Sequence, residues 1–392
     1  MLKKITVAQL RTGMYVHDLN CDWTDHPFLR NQFLVEDEAM LGKILAAPIP
    51  EVWIDTDRGL DVAPTATSPE APAASFTSPA DPIAVPDLSA EVQRARKLHR
   101  EANRLVSDLL ADARMGKQLQ VERCEPVVEG ILDSIFRKPD ALLPLAQVKS
   151  RDEYTFQHSV AVAALAAAFG RTLDMSRETI KELAIGGLLH DVGKALVPDA
   201  ILNKPGKLSE EEFAVMKGHA SHGAELLRQT PGISEIAFAA AAEHHERFDG
   251  TGYPRGLKGD GISIYGQMLA IVDVYDAITS LRVYHKGMPP TEALRNMFQW
   301  SKCHFSPSLV QAFIKGIGIY PAGSLVRMES GRMGIVREVV PEQLLQPVVK
   351  VFFDADKRCY VPPEIVALAA SGDKIVAHES FEKWNIDQAD WL

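Results

Sequence analysis

The spacing of apolar positions changes period along this chain, and each change marks a region. Near the N-terminus, Ile5-Thr6-Val7, Met14-Tyr15-Val16, Phe33-Leu34-Val35 and Val52-Trp53-Ile54 are short β-type runs. Arg11-Thr12-Gly13 marks a turn, and Glu36 to Ala46 predicts a helix. From Leu88 the pattern becomes helical. Leu88, Val92, Ala95, His99, Ala102, Val106, Leu109 and Ala113 recur at alternating four and three, predicting one helix to about Met115. That stripe suits a homodimer coil as well as packing on its own domain. Val121 to Arg137 predicts another helix, and five more segments follow, at about 153–169, 177–189, 209–222, 233–245 and 264–280. Ser209 followed by Glu210-Glu211-Glu212 is the cap and acidic first turn of the third. Helical spacing continues from Thr291 to Gly316. Between Ser324 and Phe353, Leu325-Val326, Gly334-Ile335-Val336 and Val348 to Phe352 return to β spacing, punctuated by Gly331 and Pro341.

Composition refines this division. Asp61 to Pro86 holds six prolines among alanine, serine and threonine, with almost nothing to bury, and is expected to be a linker. The expected architecture is therefore mainly α. A small mixed α/β domain spans 1–60, a linker 61–87, a helical domain 88–322 and a small β-containing appendage 323–392. The length of 392 residues leaves room for two or three domains, and 46% hydrophobic residues suffice for substantial cores. A net charge of −10 argues against binding a nucleic-acid polymer, while leaving room for a small anion at a local basic cluster. Cys21, Cys124, Cys303 and Cys359 show no paired spacing, as in a reducing compartment. No apolar core follows Lys3-Lys4, and no apolar run approaches a membrane span, so a cytoplasmic protein without membrane association is expected.

The candidate chemistry lies between His158 and Asp273, on those five segments. His158, His190-Asp191, His219, His244-His245 and Asp273 are all nitrogen or oxygen donors, with no cysteine among them. Imidazole with carboxylate suits Fe, Mn, Co, Ni or Zn, whereas a structural zinc site more often uses thiolates. One ion of four to six ligands cannot use seven donors; two ions sharing a carboxylate can. A lone histidine is more often a packed or surface residue, and His222 reads as such. Asp273 is harder to set aside, because it follows Met268-Leu269-Ala270-Ile271-Val272, where a carboxylate needs a partner.

Leu188-Leu189-His190-Asp191-Val192-Gly193-Lys194 resembles the signature of the HD-superfamily phosphohydrolases. His244 to Pro254, reading HHERFDGTGYP, resembles that of the HD-GYP cyclic-di-GMP phosphodiesterases of bacteria. Ile201 to Leu208 and Ala270 to Ala277 match it as well. The resemblance covers about 151–321, with separated motifs in the family's order. The first sixty residues, with Gly13-Met14-Tyr15-Val16 and Trp23, His26-Pro27-Phe28, resemble the small domain that often precedes HD-GYP domains.

This resemblance implies an HD-type helical bundle with a dinuclear centre of two divalent transition-metal ions, Fe or Mn foremost and Co, Ni or Zn as alternatives. His158, His190, Asp191 and Asp273 would hold one ion, and His219, His244 and His245 the second, with Asp191 bridging. A metal-bridging hydroxide would cleave cyclic-di-GMP to linear pGpG, with GMP as a further product. Lys194 would face the substrate phosphate as a catalytic residue. Arg282 and Tyr253 would contact substrate, and Asp249 and Asp276 would support the ligands. Where the family has a lysine or arginine, this chain has His285, a titratable replacement for a permanent charge. Tyr154 stands where some members place a glutamate for a third ion, and Glu153 is turned about 100° away. The loop from Gly250 to Gly261 is expected to shape the pocket and to meet protein partners such as diguanylate cyclase domains. The alternative is a low-activity sensor that binds cyclic-di-GMP and signals by protein contact.

Overall fold

A computed structural model describes residues 2–19, 33–46, 49, 51–61, 88–147, 154–280, 287–301 and 303–391. Trp23 and His26, and the linker apart from Asp61, lie outside the described residues. The chain divides into two compact units, 1–87 and 88–392.

In the first unit, β1 (Leu2–Thr6), β2 (Tyr15–Asp18), β3 (Phe33–Leu34) and β4 (Glu51–Asp55) form an antiparallel sheet in the order β1-β4-β2-β3. The helix α1 (Glu38–Ala46) precedes β4. Alternation sets which side chains turn inward: Val52 and Ile54 of β4 are fully buried, while Trp53 between them is 36% exposed. Met14, Val16, Val35 and Ile44 complete the core. The four β-type runs and the helix predicted from sequence are all present, within a few residues.

The second unit opens with α2 (Leu88–Arg114), α3 (Glu125–Arg137) and α4 (Pro139–Gln147). The bundle proper follows: α5 (Tyr154–Thr172), α6 (Arg177–Leu189), the short α7 (Asp199–Leu202), α8 (Glu210–Arg228), α9 (Glu235–Glu243), α10 (Ile264–Thr279), α11 (Pro290–Trp300) and α12 (Pro307–Ile317). Four helix starts are fixed by serine caps. Ser176, Ser209, Ser234 and Ser263 accept from the backbone N–H of Thr179, Glu212, Ala237 and Gly266, and Glu212 returns the bond to Ser209 as a capping box. The centre is α5, whose Ala161, Ala163, Ala164, Ala166 and Ala167 are buried. Small side chains let α4, α6, α10 and α12 all pack on it. The stripe along α2 is consumed within its own unit: Ala95, Ala102, Val106, Leu109 and Ala113 are buried, and α2 packs on α3, α4 and α5.

The unit ends in a five-stranded antiparallel sheet of β5 (Leu325–Met328), β6 (Arg332–Glu338), β7 (Val348–Asp354), β8 (Cys359–Ala367) and β9 (Ile375–His378), ordered β8-β7-β6-β5-β9. β5, β6 and β7 are the predicted runs. β8 was not legible because Val361-Pro362-Pro363 interrupts it, and proline is tolerated at an edge, where β8 lies. Val326, Val336, Val349 and Val351 form one core of the sheet, while Leu325, Met333, Ile335 and Phe352 form the other.

Candidate metal centre

Five elements deliver the predicted donors. His158 lies one turn into α5, His219 on α8 and Asp273 on α10. His190 is the C-terminal cap of α6 with Asp191 next, and His244 is the C-terminal cap of α9 with His245 next. Three of the imidazoles are locked by one local device: Nδ1 of His190, His219 and His244 donates to the carbonyl three residues earlier, Gly187 at 2.8 Å, Met216 at 2.7 Å and Ala241 at 2.6 Å. A proton held at Nδ1 leaves Nε2 with its lone pair directed away from the helix. His158 reaches the same state through a side chain, its Nδ1 lying 2.6 Å from Asp276 Oδ2.

The Nε2 atoms and the two carboxylates converge. His158 Nε2 lies 3.0 Å from Asp273 Oδ1, His190 Nε2 3.4 Å from Asp191 Oδ2, and His219 Nε2 3.4 Å from Asp191 Oδ1. His245 Nε2 is 3.1 Å from His219 Nε2. Three trios bring their donor atoms within 4.8 Å of one another: His158, His190 and Asp273; His219, His244 and His245; and His190, Asp191 and His244. The third takes one histidine from each of the others and adds Asp191, so Asp191 stands between two donor groups.

Charge and burial prepare these groups for cations. Nε2 of His190 and of His244 and Oδ1 of Asp191 are buried without a hydrogen-bond partner among the described residues. Such orphaned atoms are costly unless something else binds them. Burial opposes ionisation of Asp191, but the Lys194 ammonium, 2.5 Å away, and His190 hold its carboxyl well below the usual range. Burial likewise opposes ionisation of Asp273, yet the neighbouring His158, His190 and His245 rings hold its carboxyl well below the usual range. Burial pushes His219 down, His244 well down with help from His245, and His245 down to about 3. His190 differs: burial disfavours its cation, but Asp191 and Asp273 raise its pKa. Neutral imidazoles beside ionised carboxylates are the protonation states that metal binding requires.

The remaining expectations divide. Tyr253 is brought to the site, its ring 4.6 Å from that of His245, and burial pushes its phenol upward. Asp276 Oδ2 lies against Nδ1 of His158, at 2.6 Å. Asp249 does not touch the seven donors; Oδ1 accepts from the Thr251 amide and hydroxyl at 2.9 and 2.7 Å and shapes the loop. His222 is exposed on α8. Arg282, His285, Glu153 and the side chain of Tyr154 lie outside the described residues.

Two residues that sequence reasoning left without a role organise the loop. Glu246 is buried and accepts from the backbone N–H of Arg255 at 2.7 Å and of Leu257 at 2.9 Å. Glu243 accepts from Ser263 N–H at 2.8 Å and pairs with the Arg255 guanidinium. Their signal was two acids flanking a histidine pair on an apolar helix; their partners, on a loop of unknown path, could not be read. Glycine is required where backbones meet. A Cβ on Gly193 would collide with the His219 carbonyl, and one on Gly252 with the backbone of Glu246 and Arg247.

Similarity to known proteins covers parts of both units, and the first match runs past the first unit through α2. Residues 2–124 match a domain of unknown function (DUF3391), and residues 135–309 match the HD domain. The chain is 44% identical over 394 residues to a Pseudomonas aeruginosa protein named a cyclic di-GMP phosphodiesterase, covering 100% of this chain and 95% of that one. A Thermotoga maritima cyclic di-GMP phosphodiesterase is 40% identical over 166 residues, 42% of this chain and 45% of that one. A Vibrio cholerae 3'3'-cGAMP-specific phosphodiesterase is 38% identical over 163 residues, 42% of this chain and 38% of that one.

Proposed function

This chain belongs to the HD-GYP family of HD-domain phosphodiesterases, and from that membership and the geometry of its centre we propose that it hydrolyses cyclic di-GMP to linear pGpG. One observation carries the reading: seven buried or half-buried donors from five elements form two groups joined through Asp191, with three imidazoles pre-set by backbone carbonyls. His158, His190 and Asp273 with Asp191 fit one divalent ion, and His219, His244 and His245 with Asp191 fit a second. Bound there, two such ions activate water and offset charge on a phosphoryl group.

The chain's own residues supply the rest. Lys194 sits against Asp191 with its side chain 25% exposed, placing an ammonium at the edge of the centre where a phosphate oxygen arrives. Tyr253, tilted against the His245 ring at 4.6 Å, gives the lip an aromatic surface for a base. Asp276 holds the His158 ring, and Glu246 holds the loop that carries Tyr253. Fe or Mn suits this donor set.

The test is to load the full chain with Fe or Mn, incubate it with cyclic di-GMP or with 3'3'-cGAMP, and resolve the products by chromatography. We expect pGpG from cyclic di-GMP, and loss of both turnover and bound metal in Asp191→Asn. Full metal loading without cleavage of cyclic di-GMP would overturn the assignment, and faster cleavage of cGAMP would move it to that substrate.

A further inference from the structure

Outside the metal centre, the second unit holds a cavity of about 300 Å³ between α2, α4 and the C-terminal sheet. None of the seven donors lines it. Pro144 and Leu145 of α4 and Ile335 of β6 give it apolar walls. Arg337 of β6, Lys350 of β7 and Trp391 also line it. On the sheet side, Lys350 pairs with Ile335 and shares its face, Arg337 lies at the register shift between Val336 and Glu338, and Arg96 of α2 lines the cavity from the helix side.

Several observations indicate what this cavity takes. Arg337 has no carboxylate partner among the described residues, and Lys350 Nζ is engaged by the Trp391 carbonyl, at 3.2 Å. Two half-buried cations side by side oppose one another. Burial and the Arg337 charge both push the Lys350 ammonium downward in pKa. Such an arrangement is costly unless an anion offsets it. The acid in the lining, Asp140, is a poor counter-ion near neutral pH, because burial and Glu338 push it up to about 7. The indole supplies a second kind of surface. Trp391 stacks on Phe352 at 3.8 Å with planes 8° apart, which holds it rigid, and Lys350 Nζ lies 5.4 Å from its ring centroid. Cations beside a fixed aromatic plane are how phosphate and base are bound together. About 300 Å³ is the lower end of small-ligand sites, room for one nucleotide.

We propose that the cavity lined by Arg337, Lys350 and Trp391 is a second ligand site that binds a mononucleotide, its phosphate on the two cations and its base against the indole. The site is separate from the metal centre in its lining residues. The proposal is independent of which cyclic dinucleotide the chain cleaves.

The test uses the full chain in chelator, so that the metal centre cannot take up phosphate. GMP, AMP and inorganic phosphate are titrated by calorimetry. Wild type is expected to bind at least one nucleotide ten-fold or more tightly than phosphate. Lys350→Gln should weaken that binding at least ten-fold, and Trp391→Leu should remove the preference over phosphate. Arg337→Gln leaves the Lys350–Trp391 contact in place, so it serves as the second variant if Lys350→Gln does not fold; it too should weaken binding. Either equal binding by wild type and the folded charge variant, or no nucleotide preferred over phosphate, would overturn the proposal.

Discussion

At the scale of single residues, ring orientation at the centre is set from two sources, and they differ in how readily sequence shows them. The carbonyls behind His190, His219 and His244 are local, three residues back, so any helix offers them. The partner of His158 is Asp276, 118 positions away in sequence, and it was legible only because it lies one turn from Asp273. Asp276→Asn removes the charge behind the His158 imidazole while keeping its size. It should weaken metal affinity on the order of 10–100-fold, as for other carboxylates behind ligand histidines. Competition against a chromophoric chelator measures this, and unchanged affinity would assign Asp276 to packing alone. Glu246 escaped the sequence because its partners are amides, and amides leave no mark in composition.

Among the elements, the loop after α9 depends on a few bonds rather than on apolar packing. Gly250, Gly256 and Gly259 adopt positive φ, as their clustering implied, whereas Gly252 is needed for close approach. Glu246→Ala leaves the Arg255 and Leu257 amides unpaired, a loss of about 1–3 kcal/mol locally. Metal content should stay full while kcat/KM falls, and hydrogen exchange at 251–257 should speed up. Loss of metal in this variant would instead make Glu246 part of the centre's own framework. Spacing alone could not decide between a dimer coil and intrachain packing for α2. The buried face against α4 and α5 needed the helix α4, which sequence reasoning did not predict and which carries Pro144 within it.

Across the molecule, the stretches of strand and helix were legible because each has its own period, while the joins were not. One join has a pH signature. Asp140 of α4 meets Val339 and Glu338, just beyond β6 and at its end, with Lys138 and Arg171 also nearby. Its pKa is about 7 in the folded chain against an ordinary 3.8, because burial and Glu338 disfavour the anion. A folded pKa above the unfolded one means that the unfolded chain gives up its proton first. The stability contribution is therefore whole below about pH 4, is lost as pH rises toward 7, and stays lost above that. Asp140→Asn should match wild type near pH 4 and exceed it by a few degrees in Tm at pH 8. Equal Tm differences at both pH values would place the effect elsewhere.

Both α6 and α9 stop at the centre, His190 and His244 being their C-terminal caps. The C-terminal end of a helix carries about half a negative charge from its aligned peptide dipoles. Two such ends add to the charges of Asp191 and Asp273, against the single ammonium of Lys194, and make the surroundings of the histidines more negative. Such a field would favour cations and oppose a phosphodiester until they are bound, which predicts a fixed order of loading. A non-hydrolysable cyclic dinucleotide should bind the metal-loaded chain and fail to reach the centre of a chelated one. Equal affinity for the two forms would show that the helix ends do not govern entry.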